Sequence, residues 1–363
     1  MHESEGAVFM NNMSVRKFFI MVSIAVCAAG TLAAAVISQP AAVVNLTKNT
    51  VITTEQLNAK VKEYQEAAAT AGTAAPDALR VLEIMINDEL VMQGSARDGI
   101  VITDAQVSQL VVDQKQTLEQ QYGVTLTDAQ FQQAVTAQFG SMEAFRKALK
   151  EQLLVDTYVR KAKSDVIAQV KQPTDTEISS FFRQRRSEFF SPESIRLSHV
   201  FIPFAEGTDA QKTNDANKAT LISLVSSIRS GSLTFEKAVQ DYSQDAASRQ
   251  LGGSIGWLTA DNSDVVASLG QGFYDAAFAL EVGQISNVVE SASGYHILKS
   301  VSHLDAKMLG LDDTINPETT VTVREYIRQY LLAQNQQTAY VNAVNALIQD
   351  LRSLANIRIL YAN

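Results

Sequence analysis

Cysteine is almost missing from this chain. Cys27 is the only one in 363 residues, so no disulfide can close within it and no thiolate metal cluster can be built. Positive charge is also short: 30 Lys and Arg against 39 Asp and Glu give a formal net charge of −9. No basic stripe is present to displace phosphate counterions, which argues against a nucleic-acid partner. Proline is limited to six residues and histidine to four, and no short internal repeat is visible. The prolines therefore work as punctuation: Pro40, the Pro173, Pro192 and Pro203 group, and Pro317 mark plausible boundaries, because proline ends helices and biases its predecessor to extended backbone.

Only one long apolar run occurs. Arg16-Lys17 precede a stretch from Phe18 to Ile37 broken by small residues alone, the layout of a secretory signal, with Met13 a candidate start. The run also approaches the length of a bilayer span, so a cleaved signal and a retained anchor through residues 18–37 are both open. Cys27 lies inside it. Ile24-Ala25-Val26-Cys27 partly resembles a lipoprotein acylation site, and the plainer reading is a small apolar filler. Either way the expectation is export, to a periplasm or the outer face of the cytoplasmic membrane.

What remains has ample material for cores, with 46% hydrophobic residues and length for roughly two domains. From residue 41 to 190 the pattern is mostly helical. Val43 to Leu46 reads as a short strand, Thr53 or Thr54 caps a helix through Leu57, Val61 and Tyr64, and Ala67 to Ala75 reads as a loop of small residues. Leu79, Leu82, Met85, Ile86 and Leu90 repeat at helical spacing, and another helix starts after Thr103-Asp104. Ser141 caps a stripe of Met142, Phe145, Leu149 and Leu153. Near the other end, Val323, Ile327, Tyr330, Leu331, Val341, Val344, Ile348 and Leu351 share one face of one or two helices, and Ile357 to Leu360 ends the chain as a strand. An amphipathic helix gains its stability by packing its stripe. The C-terminal helix is therefore expected to dock on the helices before residue 190, making one helical domain from both ends.

Between those ends the pattern changes. Arg196 to Ile202 alternates as a strand before Pro203, Leu221, Leu224, Val225 and Ile228 form a helical stripe ending at Gly231, and Phe235 to Tyr242 and Phe273 to Leu280 suggest further helices. Ser286 to Glu290 and Tyr295 to Val301 read as strands, and Gly252-Gly253 as a tight turn. Mixed elements of this size suit an α+β sheet with helices on it.

This region, through Ser198-His199-Val200, Tyr242-Ser243-Gln244-Asp245, Gly252-Gly253-Ser254-Ile255-Gly256 and Ser293-Gly294-Tyr295-His296-Ile297-Leu298, resembles the parvulin peptidyl-prolyl isomerases over about a hundred residues in order. The resemblance implies an α+β parvulin-like domain in which His199, Asp245, His296 and Ser293 form the catalytic polar cluster, and Ile255, Leu269 and Phe273 form the proline pocket. No cofactor and no metal are implied. His303 and the sole tryptophan, Trp257, are read as packing residues. Ser254 stands where many parvulins carry Asp, and the turn from Trp257 to Gly270 is longer than theirs and borders the proposed pocket. The loop from Ala205 to Lys218 has no arginine cluster for a phosphate.

The flanks are similar to those of the exported SurA, PrsA and PpiD folding factors, on Gly123 to Leu154 and the linker Thr174-Asp175-Thr176-Glu177-Ile178. The expected order is a signal or anchor over residues 1–39, a helical chaperone-like part over 40–190, a parvulin-like domain over 191–305, and C-terminal helices and strand over 306–363 completing the helical domain. The partners this implies are unfolded or nascent exported polypeptides. The competing expectation is a parvulin-fold chaperone that binds such clients without turning them over.

Overall fold

The fold, taken from a computed structural model, is described for residues 39–361. The apolar run of residues 18–37, with Cys27, lies outside them, so the expected signal or anchor has no structural account. Among the described residues no helix is long and apolar enough to cross a membrane. The chain divides into two units: one ends at Pro173 and resumes at Tyr330, and the other runs Thr174–Gln329.

The first unit joins both ends of the chain. Strand Pro40–Asn45 pairs antiparallel with Asn49–Thr53 on one side and with Asn356–Ile359 on the other. The turn between the first two is held by buried Gln93, whose Oε1 accepts from the backbone amides of Leu46, Thr47 and Lys48. Thr53 then caps helix Thr54–Ala71 in a capping box with Gln56, which satisfies orphan amides at the helix start. The alanines read as a loop carry this helix on to Ala71, as expected for the strongest helix former. It stops at Gly72, whose φ of 64° lies in the left-handed region.

Helix Ala78–Arg97 buries Leu82, Ile86 and Leu90 against Tyr158 and Val159 of helix Met142–Ala162, and against Ala343, Leu347 and Leu351 near the C-terminus. Arg352 ties the same surface to Asn87 and Glu83. A second small core gathers Val107, Phe131, Val135, Phe145 and Leu149 from helices Asp104–Tyr122, Asp128–Phe139 and Met142–Ala162. Thr103, Thr127 and Ser141 cap these three helices.

The C-terminal stripe belongs to one helix, Val323–Leu354, but it does not serve one core. Val323 and Ile327 fall in the central unit, whereas Ala343, Leu347 and Leu351 complete the first. The central unit also reaches beyond the 191–305 span drawn from sequence. Helix Asp175–Gln184 belongs to it because Phe182 packs on Phe189 at 5.4 Å and Phe189 on Tyr326 at 6.4 Å between ring centroids. Strand Phe190–Ser191 pairs with Lys307–Met308 in the same region.

The body of the central unit is a four-stranded antiparallel sheet in the order Ser254–Thr259, Ser194–Pro203, Gly294–Leu304, Ile285–Glu290. Val200, Ile202, Tyr295 and Ile297 point from one face into a core with Leu221, Leu224, Phe235 and Val239. Leu197, Leu298 and Leu258 meet Phe273 and Ala277 in the other large cluster. This is an α+β domain set between the two halves of a mainly helical one.

Close helix approach in the first unit gives a test. A Cβ placed on Gly94 would lie 2.6 Å from Leu351 Cδ2 and 2.8 Å from Tyr158 Oη, and Tyr158 cannot swing freely because its hydroxyl donates to Asp98 at 2.6 Å. Gly94→Leu should therefore destabilise the first unit by about 1–3 kcal/mol by overpacking, despite the better helix propensity of leucine. A urea melt followed by far-UV circular dichroism should show a lower midpoint at unchanged m-value.

Candidate active site

Strand alternation and register put the site together. His199 and Phe201, two apart on one strand, share a face, and Phe201 stands directly opposite His296 on the next strand, so the three rings project to the same side. His199 and Phe201 are stacked 11° from parallel at 5.7 Å, Phe201 lies 4.7 Å from His296, and Phe273 meets His296 edge-on at 5.0 Å. Both histidines are buried, 6% and 2% exposed.

Asp245 is brought in by backbone bonds. The Gln244 amide donates to Phe201 O at 2.8 Å and the Phe201 amide to Ser243 Oγ at 3.2 Å, which fastens this segment beside the strand. Asp245 then caps the short helix Ala246–Arg249, its Oδ1 accepting from the Ala247 amide. On the far side the His199 amide donates to Gly253 O at 2.8 Å. Gly253 has φ 78°, and a Cβ there would lie 2.4 Å from His199 O, so only glycine permits this approach.

The polar atoms form a chain. His296 Nε2 is 2.8 Å from Ser291 Oγ, His296 Nδ1 is 3.1 Å from His199 Nδ1, and His199 Nε2 is 3.0 Å from Asp245 Oδ2. Burial pushes His199 below the ordinary histidine value against the opposing pull of Asp245. Burial takes His296 down to about 3, with a charged His199 adding repulsion. The hydrogen bond from Ser248, with those from His199 and Ala247 behind it, holds Asp245 below the ordinary carboxylate value despite some burial.

Near neutral pH the cluster is thus two neutral imidazoles and one carboxylate, and ring chemistry leaves one proton arrangement. Ionised Asp245 only accepts, so His199 carries its proton on Nε2. Its Nδ1 is then bare and accepts from His296 Nδ1–H, and bare His296 Nε2 accepts from Ser291.

His199, Asp245 and His296, with Ser293, line one side of a cavity of about 300 Å3 whose other walls are apolar, Phe201, Ile255, Trp257, Leu258, Val265, Leu269 and Phe273 among them. All seven residues singled out from sequence line it. His199, Asp245 and His296 are hydrogen-bonded together. Ser293 is not bonded to His296; its Oγ lies 3.1 Å from Ser291 Oγ, and Ser291 makes the contact. Ile255 sits at the rim, 38% exposed. Trp257, read as packing, is a lining residue.

Ser291, Ser248 and Phe201 went unread. Phe201 alone had a signal, its alternation with His199. The long turn after Trp257 contains helix Ser263–Leu269, capped by Asn262 Oδ1, and it supplies Val265 and Leu269 to the cavity. His303 lies elsewhere, bonded to Glu193 at 2.7 Å and to Leu280 O at 3.0 Å.

Residues 199–302 match the family model described as a PPIC-type PPIase domain. Residues 9–159 match that of a SurA-like N-terminal domain. Two stretches of the chain are thus similar to a PPIC-type PPIase domain and to a SurA-like N-terminal domain. Chaperone SurA of Nitrosococcus oceani is 25% identical over 283 residues, covering 76% of this chain and 60% of that one. Foldase protein PrsA of Clostridium botulinum is 22% identical over 267 residues, covering 73% and 69%. Among solved structures, one of two SurA-like chaperones from Campylobacter jejuni covers 89% of this chain and 99% of its own, at 18% identity and a TM-score of 0.35. The chain spans less than two thirds of the length of the SurA relative.

Neutral buried histidines make the PPIase domain acid-sensitive. The unfolded chain takes up protons on these rings below pH of about 6.5, whereas folded His296 does so only near 3. Folding stability is therefore full above about 6.5 and falls as pH drops towards 3. Followed by fluorescence of the sole tryptophan, Trp257, unfolding should lose less stability between these limits in His296→Asn than in the wild type. Equal slopes would show that folded His296 titrates at an ordinary value.

Proposed function

We propose that the chain is an exported prolyl cis/trans isomerase and folding chaperone, its PPIase domain turning X-Pro bonds in unfolded envelope or secreted polypeptides that the helical unit binds. The observation that carries this is the neutral His199–His296 pair, joined Nδ1 to Nδ1 and anchored on Asp245, in the wall of an otherwise apolar cavity.

No nucleophile is needed. Rotation about a peptide bond is slow because twisting destroys amide resonance, and an X-Pro bond takes tens to hundreds of seconds unaided. The planar amide is the more dipolar form, so taking it from water into an apolar slot removes more stabilisation from it than from the twisted form. That difference lowers the barrier, since only what favours the transition state over the ground state accelerates the reaction. Phe273, Leu269 and Ile255 would hold the proline ring, and the relay would offer the amide two neutral imidazoles, with its one charge confined to Asp245 at the end of the chain of hydrogen bonds. Asp245, Ser293, His199 and His296 are the proposed polar residues of the site. At about 300 Å3 the slot stands at the lower end of ligand sites, which run from roughly 300 to 1,000 Å3.

Export is proposed on the signal-like segment from Arg16 to Ile37. A second reading, binding without turnover, draws on helix Ser263–Leu269, which narrows the slot with Val265 and Leu269.

The two readings part in one assay. Wild-type chain should speed cis/trans exchange in an Ala-Ala-Pro-Phe type peptide, and His199→Ala, Asp245→Ala or Phe273→Ala should cut kcat/KM by about tenfold or more, a loss of at least ~1.4 kcal/mol in transition-state binding. If the wild type gives no acceleration yet keeps a proline-free unfolded client from aggregating, the isomerase reading fails and binding alone stands.

A further inference from the structure

Ser248 is 3% exposed and is not among the polar residues proposed to face the substrate. Its Oγ is 2.5 Å from Asp245 Oδ2 and 3.2 Å from His199 Nε2, while Nε2 is 3.0 Å from the same Oδ2. The three atoms form a closed triangle. Since the carboxylate can only accept, both the Ser248 hydroxyl and His199 Nε2–H are directed at Oδ2, and the Oγ to Nε2 contact holds no proton of its own. This also excludes Ser248 as a nucleophile served by His199, because the facing nitrogen is already protonated and cannot act as its base.

The backbone of Ser248 is tied to the same histidine. Its carbonyl accepts from the Gly253 amide at 2.9 Å, and Gly253 O accepts from the His199 amide at 2.8 Å. A ring of hydrogen bonds therefore leaves the main chain of His199, passes through Gly253, Ser248 and Asp245, and returns to the His199 imidazole. Without the serine hydroxyl, Oδ2 would keep only the hydrogen bond to His199, and the Asp245 side chain, 26% exposed, would be free to turn towards water. His199 would then lose the acceptor that keeps its proton on Nε2. The reversed relay, with protons on His199 Nδ1 and His296 Nε2 and Ser291 accepting, would become comparable in energy.

We infer that Ser248 is a positioning residue that holds the Asp245 carboxylate against His199 and thereby selects one tautomer of the histidine pair. This rests on the isomerase reading for its kinetic consequence, but not for its effect on Asp245. That effect agrees with the Ser248 hydrogen bond being the foremost cause of the lowered Asp245 pKa.

The test uses the full chain with Ser248→Ala and Ser248→Thr, folding being checked by Trp257 fluorescence. Carbon-13 NMR of the Asp245 carboxyl should titrate at higher pH in Ser248→Ala than in the wild type, and Ser248→Thr should restore the wild-type value. With the Ala-Pro peptide, Ser248→Ala should lower kcat by about tenfold and leave KM within about twofold, with the acid limb of the kcat/KM profile moved up the pH scale. Wild-type titration of Asp245 in a folded Ser248→Ala chain overturns the inference. If Ser248→Ala does not fold, Ser248→Cys, a similar shape with a weaker donor, takes its place under the same expectation and the same overturning result. An inactive wild type would sink the isomerase reading instead, and the Asp245 titration would still decide the role of Ser248.

Discussion

Two imidazoles that face each other through Nδ1 can share only one proton, and this restriction organises the central unit. At 3.1 Å the His199–His296 contact is favourable only when one ring donates and the other accepts, so the two cannot both be protonated, and when both are neutral they take opposite tautomers. Burial enforces the first condition and the terminal partners enforce the second, with an obligate acceptor at Asp245 and a hydroxyl at Ser291. The sheet exists to bring these strands into register, and Gly253 to let the neighbouring segment touch the His199 backbone. Phe201 and Phe273 pack their rings on His296 without adding charge.

Such a site differs from a hydrolytic one in what it withholds. A Ser, His and Asp lie within hydrogen-bonding reach, yet the proton on His199 Nε2 faces Asp245 and Ser248 rather than leaving a base for the serine. The same three residue types carry opposite chemistry depending on which ring nitrogen is bare. Rotation about an amide needs no activated nucleophile, and the relay keeps its one negative charge on Asp245, at the end away from His296.

Much of this was legible in the sequence, for reasons that differ by residue. His199, Asp245 and His296 could be found because histidine is scarce in the chain and their spacing follows a family pattern. Ser291 and Ser248 could not, because serine is common in turns and nothing local distinguishes a hydroxyl facing a ring from one facing water. Ser293 lines the cavity while Ser291 makes the bond to His296, and two hydroxyls two residues apart in a turn are told apart only by its geometry. Trp257 reads as packing, yet it shares the cavity wall with Val265 and Leu269 of helix Ser263–Leu269, which lies within what reads as a long turn. Helical stripes told which faces are apolar but not what covers them, and the continuous stripe from Val323 to Leu351 in fact divides between two units.

That division bears on the order in which the molecule can be assembled. The central unit lies in one unbroken stretch, Thr174–Gln329, and can close as soon as that stretch has been made. The core around Leu82, Ile86 and Leu90 cannot, because Ala343, Leu347 and Leu351 emerge more than 250 residues later, and domains tend to fold as units during synthesis. Helix Ala78–Arg97 can meet Tyr158 and Val159 early, but its core stays open on the side that Ala343, Leu347 and Leu351 complete until the last helix arrives.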